Sequence, residues 1–213
     1  MWMDWDEANA ERGRETENAN KPKFSQPVGR FDMLLPADEE SQAVDENAAS
    51  VYLRAMIDMV GRTQQPLTLA CVAADELPLL TFLGPDATAL IGKAMVRCIR
   101  QETRDYDVVS RVRVPGIPLV FMITCPMQGE ESVKQMAHRL QVAMTAESPH
   151  GDTPWLSVSA GIASLSLDAS DAEALRSRAV ASLRRARNAG PGTLWTHGDT
   201  VNAIIADDKY PQE

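Results

Sequence analysis

The sequence predicts an α+β domain: a mixed, mostly antiparallel central sheet flanked by helices, preceded by a flexible acidic leader. Three observations lead there. Short apolar runs of strand length alternate with longer stretches whose apolar residues recur at helical spacing. Two of those runs, Val108–Val114 and Ile117–Ile123, are joined only by Pro115-Gly116, which makes them a hairpin. The acidity sits at the front of the chain. Residues 1–47 carry 12 acidic and 5 basic side chains, a net of −7, against 18 and 16, a net of −2, in the remainder.

The leader, residues 1–47, is rich in Glu, Asp, Asn, Gln and Ala and lacks periodicity, so it is expected to be disordered. Within it Phe31-Asp-Met-Leu-Leu35-Pro36 is an apolar island able to dock on the domain or on a partner. The folded part, residues 48–196, opens with a helix in which Val51, Tyr52, Ala55, Met56 and Met59 share a face and Gly61 supplies a stop. Leu67–Ala73 reads as a buried central strand. Asp86 is placed to cap the next helix, whose inner stripe is Leu90, Ile91, Ala94, Met95, Cys98 and Ile99. After the hairpin come a helix over Glu130–Thr145, a strand over Leu156–Ala163 and a closing helix from Asp171 to Ala189. Gly190-Pro-Gly192 ends that helix, Thr193–Trp195 suits an edge strand, and residues 197–213 form a tail.

Composition narrows the function. The longest uncharged stretch, Val114–Gly129, holds Pro115, Pro118 and Pro126, so no membrane-spanning helix is predicted. The N-terminus has no apolar signal core, and a cytoplasmic protein is expected. A near-neutral domain in a chain of net charge −9 lacks the basic surface that sequence-independent nucleic-acid binding requires. A small anion needs only two or three placed arginines. Cys71, Cys98 and Cys125 are isolated among apolar residues and read as buried thiols; His138, His150 and His197 lack metal-ligand spacing, and no metal site is assigned.

Four segments, in order and at similar separations, resemble the GGDEF domain of diguanylate cyclases over roughly residues 50–196. They are Pro66-Leu-Thr-Leu; Arg104-x-x-Asp107 with Val108-Val-Ser-Arg111; Val158-Ser-Ala-Gly161-Ile-Ala163; and Leu175-x-x-x-Ala179-x-x-Ser-Leu183-x-x-Ala186-Arg187-x-x-Gly190. The resemblance implies a nucleotide-cyclase-like fold. It also implies where that family's chemistry would lie. The first-strand metal acid falls on Ala73, with Asp75 two residues on; the turn acids fall on Pro115 and Gly116, the turn glycines on Arg113 and Val114, and the phosphate-binding Lys on Arg187. The guanine-reading Asp falls near Ala89, and no Asn lies between Asn47 and Asn188 to serve beside it. A divalent-metal site needs hard oxygen ligands, so the resemblance implies a domain that is not an enzyme and needs no cofactor.

The same resemblance implies an inhibitory-type site for cyclic di-GMP. The family's Arg-x-x-Asp motif falls on Arg104 and Asp107, which lies five residues before Val112 and so one short of the first turn position; the second arginine, from the next helix, falls on Arg139. A carboxylate can accept from guanine N1–H and N2–H, and guanidinium forks match guanine O6/N7 and phosphate oxygens. The leading expectation is a catalytically inactive cyclic di-GMP receptor, able to form a homodimer and signalling through a protein partner the sequence does not identify. The alternative is a GGDEF-like interaction module that binds no nucleotide. Each feature also has a plainer reading: Arg104 and Asp107 as a solvated pair, Arg176, Arg178, Arg184, Arg185 and Arg187 as the wet face of the closing helix, Asp75 and Glu76 as a strand-end turn, and Trp155 and Trp195 as packing.

Overall fold

The computed structural model describes residues 29–76, 82, 84–146, 156–165 and 171–202. Residues 1–28 of the expected leader, Trp155, His150 and most of the tail lie outside them. The elements are α1 (Glu46–Thr63), β1 (Leu67–Ala74), α2 (Pro85–Glu102), β2 (Val108–Val114), β3 (Ile117–Pro126), α3 (Glu130–Ala146), β4 (Val158–Ser164), α4 (Ala172–Ala189) and β5 (Leu194–Thr196). The sheet runs β2-β3-β1-β4-β5, antiparallel except for the parallel β4–β5 pair at one edge.

Local chemistry explains the boundaries. The Asp45 carboxylate accepts from Asn47 and Ala48 N–H and caps α1. That helix runs through Gly61, which was expected to stop it, and ends at Gln64 in the left-handed conformation (φ 56°) just ahead of Gln65-Pro66. In α2 the cap position is Gly84, with Pro85 in the first turn, so Asp86 lies inside the helix rather than at its cap. The Asp171 carboxylate accepts from Ala174 N–H and starts α4 as expected.

One row of the sheet pairs Ser110, Met122, Cys71 and Gly161 across β2, β3, β1 and β4. Gly161 lies against α4 on this face, where α1 also packs. Leu119 and Phe121, which alternate with Met122 along β3, meet α2 on the other face, and α2 and α3 pack against each other. Every residue of β1 is buried, which accounts for its uninterrupted apolar pattern. Cys71, Cys98 and Cys125 are buried and form no disulfide, and burial pushes the Cys71 thiol up to about 12, so Cys71 is a packing residue and not a nucleophile.

The structure corrects the extent of the leader. Residues 29–45 are built into the domain. Phe31–Leu34 form a 3-10 turn, Ala37 bridges Val44, and Val44 bridges Ser110. Val44 N–H donates to Val109 O and Val44 O accepts from Arg111 N–H, which covers part of the β2 edge. Asp32, 1% exposed, is held by Arg30 at 3.2 Å and Arg100 at 2.8 Å. The folded unit therefore starts before Ala48. At the other end, residues 197–202 are helical and Thr200 is buried, so the tail too begins inside the fold.

Two substitutions test this architecture. A Cβ on Gly161 would stand 2.0 Å from Leu183 N and 2.5 Å from Ala179 O, both backbone atoms of α4. Gly161→Ala is expected to cost about 3 kcal/mol or more by forcing helix and strand apart, read as the urea midpoint; an unchanged midpoint would contradict the close approach. Asp32→Ala leaves two arginines without their shared buried acid and is expected to cost about 3 kcal/mol in the same measurement, whereas an unstructured leader would tolerate it.

Candidate functional site

Arg104 and Asp107 lie in the tight connection from α2 to β2. Asp107 N–H donates to Arg104 O at 3.0 Å, and the Asp107 carboxylate accepts the Arg104 N–H at 2.8 Å, so the two residues close the turn on themselves. The second carboxylate oxygen accepts from Gln128 Nε2 at 2.8 Å. Gln128 is itself anchored, its carbonyl accepting from the Thr68 hydroxyl at 2.8 Å. From outside, Arg30 donates to Arg100 O, Thr103 O, Thr103 Oγ1 and Asp107 O, and Phe31 N–H donates to Asp105 O. The turn is thus clamped between the N-terminal strap and the exit of β3.

Asp107 is 1% exposed and points inward. Burial pushes its carboxyl above the usual value of 3.8, an effect only partly offset by the Arg104 N–H, the charges of Arg104 and Arg30, and the Gln128 amide. Both its oxygens are hydrogen-bonded within the chain, one to the Arg104 N–H and the other to the Gln128 amide.

Arg104 and Arg139 are each anchored near the C-terminal end of α2. Arg104 projects outward, its Nη1 donating to the Tyr106 hydroxyl at 2.7 Å and its guanidinium lying 5.9 Å from the Tyr106 ring centroid. Arg139, on α3, donates to the Glu102 carboxylate at 3.1 Å and to the Glu102 carbonyl at 3.2 Å, two residues before Arg104. Its side chain stays 58% exposed, beside a depression of about 570 Å³ bordered by Glu102, Gln135, His138, Arg139, Val142 and Ala143. Such a surface can hold a planar ring against Arg104 and Tyr106 and an anionic group against Arg139. Sequence reading missed Tyr106, Gln128 and Arg30. Only Tyr106, lying inside the Arg-x-x-Asp motif, had a local signal.

The positions on which catalytic acids would fall have different surroundings. Ala73 is fully buried, paired with Val120 and Ser159 in the sheet. Asp75 accepts from the Ser157 hydroxyl at 2.9 Å and Gly192 N–H at 2.8 Å, while both Glu76 oxygens accept the Ser157 N–H, the strand-end role foreseen as the plainer reading. Arg187 approaches Asp75 at 3.9 Å. The β2–β3 hairpin closes in two residues, with Pro115 and then Gly116 at φ 82°, the arrangement of a type II turn. Among the described residues, no group of three or more His, Cys, Asp or Glu side chains is placed to hold a metal, and no helix is long and apolar enough to cross a membrane. Trp195 lies on β5, half-buried opposite Gly161.

A five-stranded sheet in this order, with a helix pair on each face, is the GGDEF-domain fold. Solved structures bear this out. The active GGEEF domain of a diguanylate cyclase from Vibrio cholerae matches with a TM-score of 0.64 at 16% identity, covering 72% of this chain and 96% of that one. The diguanylate cyclase SiaD of Pseudomonas aeruginosa, solved with its activator SiaC, matches at 0.69 and 15% identity, over 90% of this chain and 68% of that one. The GGDEF domain of DgcB from Caulobacter crescentus, solved with c-di-GMP, matches at 0.66 and 15% identity, over 76% and 95%. No protein-family model matches the sequence, and no curated protein matches it.

The Asp107 environment gives a pH test. A carboxyl whose folded pKa is raised binds more protons folded than unfolded, so its contribution to stability falls as pH climbs from 3.8 towards the folded pKa. The stability of the wild type relative to Asp107→Asn is expected to decrease as pH rises above the free carboxyl value of 3.8 in urea titrations. A rising difference would mean that the ionised form is the one the fold favours.

Proposed function

We propose that this chain is a catalytically inactive GGDEF-like domain that acts as a receptor for cyclic di-GMP, gripping it with Arg104 and Arg139. Asp107 shapes the turn that presents Arg104 and does not contact the ligand. The observation carrying this reading is that two exposed guanidinium groups are anchored near the end of α2, Arg104 on Tyr106 and Arg139 on Glu102, two residues before Arg104. Cyclic di-GMP offers two purine faces and two phosphates, the chemistry such a platform suits. That a similarly folded domain was solved with c-di-GMP supports the ligand class.

Inactivity is supported by the two places where metal acids would be needed. One is a methyl group within the sheet, at Ala73; the other is a proline in a closed two-residue turn, at Pro115. Asp75, the nearest carboxylate, is engaged by Ser157, Gly192 and Arg187. Three buried cysteines that form no disulfide support a reducing compartment, the cytoplasm.

A second reading, an interaction module that binds no nucleotide, is favoured by one observation: Asp107 and Arg139 are both already paired within the chain. Calorimetric titration of cyclic di-GMP separates the two. Saturable binding is expected, weakened about tenfold or more in Arg104→Ala and Arg139→Ala, since each removes a charge-assisted contact of about 1.5–3 kcal/mol. Absence of heat, or equal binding by both variants, would leave the interaction module. Incubation with GTP and Mg²⁺ is expected to give no cyclic di-GMP; any product would overturn the inactive assignment.

A further inference from the structure

On the side of the molecule formed by the hairpin tip and α4 lies an open groove of about 670 Å³, within the size range of small-ligand sites. None of Arg104, Tyr106, Asp107 or Arg139 borders it, and neither do Ala73, Asp75 and Arg187; Arg113, Val114 and Pro115, on which the family's turn residues fall, do. Arg113 on β2 forms one wall; Arg176, Ser177 and Arg184 on α4 form the other, with Pro115, Val180 and Ala181 as an apolar stretch between.

The wall is held in place. Glu46, at the start of α1, takes both the Arg113 N–H and the Arg176 guanidinium, pinning the hairpin to the helix. That leaves the Arg113 and Arg184 side chains exposed at the surface of the groove. Ser177, Ala181 and Arg184 fall on one stripe of α4 at helical spacing. The cations near Arg176 and those at Arg184 are eight residues apart, so they stand about 12 Å apart along the helix axis. Read from the sequence, these arginines were the wet face of a helix. Folding sets Arg113 across from them and makes that face one side of a cleft.

We propose that this groove binds a small, elongated phosphate compound whose anionic groups engage Arg113 and Arg176 at one end and Arg184 at the other. Guanidinium forks match phosphate oxygens in pairs, Ser177 supplies a hydroxyl donor, and the apolar middle tolerates a less polar body. Glu173, the one carboxylate bordering the cleft, discourages anionic ligands from extending past the first turn of α4. The site is independent of the cyclic di-GMP platform.

The experiment is calorimetric titration of the full chain, without divalent cations, using sodium tripolyphosphate and pyrophosphate as probes. Saturable binding of tripolyphosphate is expected, with pyrophosphate at least about tenfold weaker because it cannot bridge both ends. Arg184→Ser and Arg113→Ser should each weaken tripolyphosphate about tenfold, with Arg104→Ala unchanged. Ser177→Trp fills the cleft without altering charge and should abolish binding. Far-UV circular dichroism and unfolding midpoints confirm that each variant is folded. No saturable heat at millimolar probe, equal affinity for the two probes, undiminished binding by Ser177→Trp, or tighter binding of a hexaglutamate peptide than of tripolyphosphate would each overturn the assignment.

Discussion

The buried carboxylate of Asp107 is the constraint on which the α2 end of this domain depends. Its two oxygens hold the Arg104 N–H and the Gln128 amide, while its carbonyl receives Arg30. Gln128 in turn takes the hydroxyl of Thr68 at the start of β1, and its own amide oxygen accepts from Ser132 in α3. One acid therefore joins the strap, the α2–β2 turn, the exit of β3, the start of β1 and the first turn of α3. A buried charge of this kind is costly unless fully hydrogen-bonded, and the raised carboxyl shows that the cost is only partly offset. The consequence for function is directional. Because Asp107 is spent inward, Arg104 is turned outward.

Close packing supplies the second constraint. α4 approaches β4 until only a hydrogen fits at Gly161, and the facing residues Ala179 and Ser182 are small and buried beside Leu183 and Ala186. This fixes the helix on the sheet, and with it the angle at which Arg176 and Arg184 leave the surface. Glu46 then ties the hairpin to that helix. The cationic surfaces of the domain rest on packing that leaves little freedom to move.

Much of this was legible in the sequence. The elements from α1 to β5 were foreseen in order, because most have an apolar run or a helical stripe and the Pro-Gly dipeptide announced the hairpin; the 3-10 turn at Phe31–Leu34 and the helical residues 197–202 were not. What was missed has physical reasons. Gly61 was read as a helix stop, yet its backbone stays helical and nothing approaches the place of a Cβ. The strap at residues 29–45 looked like leader because its contacts are polar and distant in sequence: Arg30 and Asp32 meet residues near 100, and only the Phe31–Pro36 island and the Ala43-Val44 pair are apolar. For the proposed site, the motif's spacing singled out Arg104 and Arg139, but spacing carries no information about which way a carboxylate points. That depended on Gln128, an uncharged residue 21 positions away.

The division between the two signs of charge follows from these arrangements. Asp32, Asp75 and Asp107 are turned inward, each bound by backbone N–H groups, hydroxyls, amides or arginines that satisfy its oxygens. The exposed guanidinium groups of Arg104, Arg113, Arg139 and Arg184 face outward on two separate parts of the surface. The buried acids of this scaffold are committed to its own chain, while these four arginines stay on its surface.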